Sequence, residues 1–259
     1  MDGSPPIARH LGPAVRLLIL AIAFLCAAPA WADTPTVTNY AQLWSEVDFA
    51  GRIDKQWKWQ FDAQYSRQGN VDDPDAFRYG AQLTVRPWIH YFPIPNLRLS
   101  AFLGVWYNFP IPDVGARGYS ELRGAVQGTW YTRWGRHTLM NRLRPEFRAI
   151  QDRTGAYEFA LRGRYMLKYM RLMNGDDYVK NTFYFIAFDE FFVNGGSAVT
   201  GEHWFDQNRA FVGVGWNVTA DFALETGYFN QLQQHPHDDG LDMNHIWQVT
   251  VIVDGLTGS

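Results

Sequence analysis

The 259-residue chain has one cysteine, no strong excess of either charge and, after its first residues, no long apolar run. A single cysteine excludes an internal disulfide and a cluster of thiolate metal ligands. A formal net charge of −3 gives no electrostatic preference for nucleic acid, so we expect no nucleic-acid partner. Beyond residue 32 no segment approaches the roughly 18 consecutive apolar residues that predict a transmembrane helix.

Residues 1–32 carry the three parts of a secretory signal peptide. Two arginines precede an apolar run over residues 17–28, and residues 30–32 read Ala-Trp-Ala, the small-residue spacing of a cleavage site. The apolar run is short for a membrane span, which needs about 20 residues. We expect cleavage after residue 32. It would remove Cys26 and leave residues 33–259 as one mature domain.

From residue 38 onward, runs of roughly ten residues alternate between apolar and polar side chains. In residues 57–65 every odd position is apolar and every even one is polar. A period of two puts these sets on opposite faces of a strand, whereas a helix would mix them. Polar segments rich in Gly, Pro, Asn and Asp separate the runs, as expected of turns and loops. The pattern therefore predicts an all-β protein.

Two architectures fit such strands. A soluble β-protein buries its apolar face, whereas a membrane barrel turns that face to lipid and keeps a polar interior. The strand length suits a tilted membrane span, and the polar face carries arginine and glutamate. Tryptophans also recur near strand ends, where an aromatic girdle would lie: Trp44, Trp57, Trp88, Trp106, Trp130, Trp134 and Trp216. We predict a transmembrane antiparallel up-and-down β-barrel in the outer membrane of a Gram-negative bacterium.

The number of strands does not follow directly from the pattern. Eleven alternating runs can be counted, but single-chain bacterial barrels have even numbers of strands. We therefore predict about 12 strands, with 10 as the alternative. The run over residues 182–192 is nearly all aromatic, so its facing stays ambiguous.

Several short motifs follow one another in a characteristic order. They are Trp44 with Glu46, Arg142–Arg148 (RLRPEFR), Arg162–Tyr165 (RGRY), Glu190–Asn194 (EFFVN), Gln207–Arg209 (QNR), Gly227–Tyr228 and Asn244–His245. In these motifs the chain resembles the family known as domain of unknown function 2490, over nearly all of the mature chain. The resemblance implies an outer-membrane barrel with no assigned activity. Its expected partners are outer-membrane lipid, lipopolysaccharide and the barrel-insertion machinery.

The polar face of the strands is the part of the barrel where we expect function. Its charged side chains would point into the lumen, and a small barrel has room only for its own side chains or one small ligand. Unpaired charge away from water is costly, so Arg and Glu should pair and constrict the lumen. The predicted lumen charge network is Glu46, Arg78, Arg142, Arg144, Glu146, Arg148, Glu158, Arg162, Arg164, Glu190, Arg209 and Glu225. The same face carries Asp48, Asp62, Arg86, Arg98, Glu121 and Arg123.

These features predict a structural barrel or a narrow channel for small polar solutes. The alternative is an enzyme acting on lipid or lipopolysaccharide, which needs a nucleophile beside an oriented base. No G-x-S-x-G occurs, and His90, His137 and His203 fall in or beside predicted turns, so we predict no catalytic residue. Residues 235–242 hold two histidines and three aspartates but read as a solvated loop, so we predict no metal site and no cofactor.

Overall fold

The computed structural model describes residues 36–256, which form a closed all-β barrel. The predicted signal peptide and its cleavage site lie outside the described residues. The strands are β1 (Val37–Arg52), β2 (Trp57–Gln68), β3 (Tyr79–Ile94), β4 (Leu97–Asn108), β5 (Tyr119–Trp134), β6 (His137–Gln151), β7 (Tyr157–Leu172), β8 (Thr182–Asn194), β9 (Phe205–Asn217), β10 (Phe222–Gln234) and β11 (Leu241–Val253).

Within residues 36–256 no helix is long and apolar enough to cross a membrane. The one helical element there is a single 3-10 turn at Pro112–Val114.

The described residues form eleven strands, rather than the predicted twelve or ten. Each strand pairs antiparallel with its sequence neighbour, as in β2 with β3, but β1 and β11 pair in parallel and close the barrel. A ring of purely antiparallel pairs needs an even number of strands, because direction must alternate all the way round. One parallel joint removes that requirement, so every alternating run in the sequence becomes a strand.

The strand connections differ between the two ends of the barrel. One end, called the loop end here, carries residues 69–78, 109–118, 152–156, 195–204 and 235–240. The other, called the turn end, carries residues 53–56, 95–96, 135–136, 173–181 and 218–221. Because the strand number is odd, β1 begins at the loop end and β11 finishes at the turn end.

Alternation along the strands decides which side chains face out. Leu83, Leu103 and Phe159 are exposed on the outer surface, whereas Arg144 and Glu146 are buried inside. The aromatic run of β8 is resolved in the same way: Tyr184, Ile186 and Phe192 point in, and Phe183 and Val193 point out.

The interior is partly filled by apolar side chains. Trp44, Trp88 and Trp106, predicted for an outer girdle, point inward instead and are only 9%, 8% and 5% exposed. They share a strand face with inward polar residues, and the strand period overrides the preference of tryptophan for an interface. One interior cluster joins β1 to β7–β11 and consists of Trp44, Leu172, Tyr184, Ile186, Phe211, Phe229 and Ile246. A second cluster joins β3, β4 and β5 and consists of Trp88, Phe102, Trp106 and Ala125.

Glycines on β9 and β10 allow these rings to lie flat against the barrel wall. A Cβ added at Gly215 would meet the Tyr184 ring at 2.1 Å, and one at Gly227 would meet Phe211 at 2.5 Å. A larger residue at either position would push its ring into the lumen. The space left for charged groups is therefore set by aromatic packing against glycine.

Candidate functional site

Glu146, on β6, is the centre of a buried ion-pair network. Its side chain is 0% exposed. Oε2 accepts a hydrogen bond from Arg162 Nη2 at 2.6 Å, and Oε1 accepts one from Arg164 Nη1 at 2.6 Å. Arg144 and Arg123 approach the same carboxylate at 3.6 and 3.8 Å. A carboxylate removed from water needs partners of this kind, because its desolvation is otherwise uncompensated.

Two further glutamates extend the network around the wall. Glu190, on β8, accepts one hydrogen bond from Arg142 at 2.5 Å and two from Arg164 at 2.9 Å each. Glu121, on β5, accepts two from Arg148, at 2.6 and 3.0 Å. We call the whole set the arginine network: Glu121, Arg123, Arg142, Arg144, Glu146, Arg148, Arg162, Arg164 and Glu190. Each of its arginines lies within ion-pair distance of a glutamate.

The structure places most of the predicted lumen residues inside the barrel, in two groups. The larger group belongs to the arginine network: Arg142, Arg144, Glu146, Arg148, Arg162, Arg164 and Glu190. Glu46, Arg209 and Glu225 line the interior outside that network. Asp206, which the alternation pattern did not assign to the lumen, pairs with Arg162 at 3.0 Å.

Two predicted residues lie elsewhere. Arg78 precedes β3, so strand alternation does not reach it; it is exposed and pairs with Asp73 at 2.5 Å and Asp113 at 3.1 Å. Its assignment to the lumen was wrong. Glu158, the second residue of β7, lies at the loop end, where its carboxylate accepts the backbone N–H of Ala198 at 2.7 Å. It is a rim residue.

Towards the turn end the interior opens into a cavity of about 460 Å³, here called the charged chamber. Its acidic side includes Glu46, Asp48 and Asp62, whose carboxylate oxygens lie within 4.8 Å of one another. Arg86 pairs with Asp62 and, at 2.9 Å, with Glu46. A guanidinium group already lies among these acids, which argues against reading the cluster as a metal site by itself. Glu225, on β10, continues the acidic side and accepts a hydrogen bond from Tyr184 at 2.9 Å.

The other side of the charged chamber is basic. Arg98, Lys168 and Arg209 line it together with arginines of the network. Within residues 36–256 none of these three has a carboxylate at ion-pair distance. Arg98 lies over the Tyr131 ring, 5.7 Å from its centroid, and its Nε is buried without a hydrogen bond in the same part of the chain.

A layer of side chains separates this chamber from a second cavity. The Arg209 guanidinium lies 5.1 Å from the Trp44 ring centroid and 5.0 Å from that of Phe192. Trp44 and Arg209 line both cavities, so they stand between them. We call this layer the constriction.

The second cavity, of about 370 Å³, opens towards the loop end and is called the amide chamber. Its walls carry eight neutral amides: Gln42, Gln68, Gln82, Asn108, Gln207, Gln231, Gln233 and Asn244. Several bond to one another, as Gln42 does to Gln68 and to Asn244, both at 2.8 Å. The two chambers therefore differ in chemistry: neutral amides are the most numerous polar residues of the amide chamber, which also has seven charged side chains, whereas charged residues predominate in the charged chamber.

A buried serine–histidine pair lies on the interior side of β3 and β4. His90 Nδ1 is 2.8 Å from Ser100 Oγ, and His90 Nε2 is 3.1 Å from Gln60 Oε1. His90 thus lies within β3, whereas it was predicted to lie in or beside a turn. This is the one Ser–His hydrogen bond found in residues 36–256. Its third member is an amide rather than a carboxylate, and the pair faces away from the outer surface.

Comparison with known proteins adds a family but no activity. No curated protein and no solved structure gives a significant match to the chain. The model of one family, described as a protein of unknown function (DUF2490), matches residues 41–242. That range runs from β1 to the start of β11 and contains the constriction and most of the residues that line the two chambers. The chain belongs to the DUF2490 family.

Proposed function

We propose that this protein is an outer-membrane barrel that provides a narrow passage for small polar solutes. The observation that carries the proposal is the pair of polar chambers that share Trp44 and Arg209 as lining residues. A barrel with a purely structural role has no need for two cavities in line. An open porin would lack the aromatic and ion-pair packing that fills the rest of the lumen.

The outer surface supports the membrane location. Large apolar side chains such as Leu103, Leu143 and Trp247 are more than half exposed around the barrel. Exposed apolar surface of this extent marks an interface with lipid or another protein. We place the loop end outside the cell, because outer-membrane barrels carry short turns on the periplasmic side and longer loops outside.

The alternative, an enzyme acting on lipid, has weaker support. Such an enzyme needs its nucleophile where a lipid can reach it, yet the Ser100–His90 pair lies on the interior side. Labelling with a fluorophosphonate tests this directly. Modification of Ser100 would favour the enzyme, and we expect none.

Two measurements test the proposed passage. Cell fractionation should recover the protein with outer membranes, and the folded band should shift on gels after heating; recovery wholly in the soluble fraction would contradict the membrane location. In planar bilayers the wild type should conduct weakly or not at all, because the constriction narrows the lumen. Large steady currents would contradict a narrow passage.

The constriction can then be opened deliberately. Trp44→Leu combined with Arg209→Ala removes both side chains that separate the chambers, so conductance should rise several-fold. The matched control is Trp130→Ala with Arg153→Ala, which changes an outward tryptophan and an exposed loop arginine. If the double variant is folded and conducts no better than its control, the two chambers do not form a passage.

A further inference from the structure

The charged chamber separates its charges by strand. The acidic groups Glu225, Glu46, Asp48 and Asp62 come from β10, β1 and β2, which lie together across the β11 closure. Most basic groups come from β4, β6 and β7, and in a ring of eleven strands β6 and β7 lie opposite β1. Arg209 on β9 is an exception to this order, and Arg86 and Glu190 lie among groups of opposite charge with which they are already paired. A solute entering the chamber therefore meets mainly negative charge on one side and mainly positive charge on the other.

Both sides keep charged atoms that the described residues leave without a partner. On the acidic side Asp48 Oδ1 is buried and accepts no hydrogen bond within residues 36–256. On the basic side the Nε atoms of Arg98, Arg142 and Arg209 are buried and likewise donate none there. Charged groups left in this state are costly, and a ligand that completes their hydrogen bonds gains the compensation.

A ligand of a single charge satisfies only one side. An anion would pair with Arg98, Lys168 or Arg209 but be repelled by the four carboxylates across the chamber. A simple cation would relieve the crowding of Glu46, Asp48 and Asp62, of which Arg86 pairs with only Glu46 and Asp62. The cation would leave the basic side unchanged.

We propose that the charged chamber binds small zwitterions, molecules that carry an ammonium and a carboxylate group. The ammonium group is held by Asp48 and its neighbouring carboxylates, and the carboxylate group by Arg98, Lys168 and Arg209. The chamber volume of about 460 Å³ suits an amino acid or a short peptide. This inference deepens the proposed passage by naming the charge class of its solutes.

The test is calorimetric binding to the folded protein in detergent with a chelator present. Triglycine and γ-aminobutyrate are the zwitterionic probes, and acetate, ethylammonium and glycerol are the comparators. The zwitterions should bind about tenfold more tightly than either singly charged comparator, since each charged contact is worth roughly a factor of ten. Glycerol should not bind.

Two pairs of variants locate the site. Asp48→Asn replaces a carboxyl group on one side and Lys168→Met removes an ammonium group on the other, and each should weaken triglycine binding about tenfold. Asp72→Asn and Lys180→Met change exposed loop residues by the same chemistry and should have no effect. Asparagine keeps the shape of the aspartate side chain, so the fold is preserved.

Several results would overturn the inference. Acetate binding as tightly as triglycine would mean that only the basic side takes a ligand. Calcium binding without chelator that is lost in Asp48→Asn, with no zwitterion binding, would mean a metal site. No binding of any probe would also overturn it. Because binding is measured without a membrane, triglycine binding by the wild type, together with a Trp44→Leu/Arg209→Ala variant that conducts no better than its control, would overturn only the passage.

Discussion

The arginine network and the charged chamber use the same residue types to different ends. In the network, Arg162 and Arg164 hold Glu146 in a closed set of hydrogen bonds with no exposure of the carboxylate. A few residues further along β7, Lys168 lines the chamber with no carboxylate partner within residues 36–256. Charge in the lumen is thus of two kinds: paired groups that are part of the core, and unpaired groups that face a cavity.

This difference explains why the lumen can be both a core and a site. A buried ion pair contributes little net stability compared with apolar packing, but breaking one leaves a charge without compensation. The network therefore resists change, and it fixes the wall on which the chamber is built. The chamber groups face a cavity, where a ligand can compensate the charges that no protein group pairs.

The largest effect is expected from breaking the network at its centre. Glu146→Ala leaves Arg162 and Arg164 without their shared carboxylate and should lower the free energy of unfolding by about 3–5 kcal/mol. Urea unfolding in lipid vesicles measures this. Asp239→Ala, in an exposed loop, is the control and should change it by less than about 0.5 kcal/mol. Equal stability of the two variants would show that the network does not hold the fold.

The outer face of the barrel provides a third environment for charge. In contact with lipid, a charge introduced there would have neither an ion-pair partner nor water. Leu103 is 69% exposed in the middle of β4, and Leu103→Arg should cost about 2–4 kcal/mol if it contacts the membrane midplane. Gln68→Arg adds the same charge to the amide chamber and should cost much less. Folding yield into vesicles, read from heat-dependent gel mobility, compares them. Similar yields would mean that the outer face does not contact lipid.

A smaller effect is expected inside the chamber itself. Lys168→Met removes a cation that has no protein partner, so no orphaned carboxylate remains and stability should change by less than about 1 kcal/mol. Arg164→Met, on the same face of β7, removes hydrogen bonds to both Glu146 and Glu190 and is the matched contrast. If Lys168→Met lowered the free energy of unfolding as much as Arg164→Met, the paired and unpaired charges of the lumen would not differ in their contribution to stability.

Much of the barrel could be predicted from the sequence because strand alternation is a local signal. It assigned Arg144, Glu146 and Arg162 to one face without any knowledge of neighbouring strands. It failed at Arg78, because alternation holds only within a strand and this residue precedes β3. The register shift in the β2–β3 pairing just after that point shows how local irregularity breaks the pattern.

Other features depend on contacts between distant segments and carry no local signal. The parallel joint of β1 and β11 brings Val37 beside Leu241, a pairing that no run of residues reveals. The packing of the inward tryptophans and the shape of the charged chamber depend on which side chains of different strands lie at the same height along the barrel axis. The register between strands likewise determines which arginine pairs with which glutamate, as in the pair of Arg142 on β6 and Glu190 on β8.

The smallest expected effect lies outside the barrel wall, in the loop that joins β10 to β11. Burial lowers the pKa of His235, but its hydrogen bonds with Asp242 at 2.9 Å and Asp238 at 2.8 Å outweigh this, so the pKa of His235 is raised. The protonated form is thus favoured in the folded loop, and its stabilisation is complete below the ordinary histidine pKa.

That stabilisation is lost as the pH rises through the raised pKa of His235. Hydrogen exchange of the Gly240 amide, which donates to Asp238 in this loop, should speed up over that pH range beyond the intrinsic base-catalysed rise. His235→Gln should abolish the extra pH dependence while global unfolding stays unchanged, because the half-buried histidine lies at the loop end, away from the arginine network. A matching shift in global stability would mean that loop charges and the network act as one unit, and would remove the contrast between them.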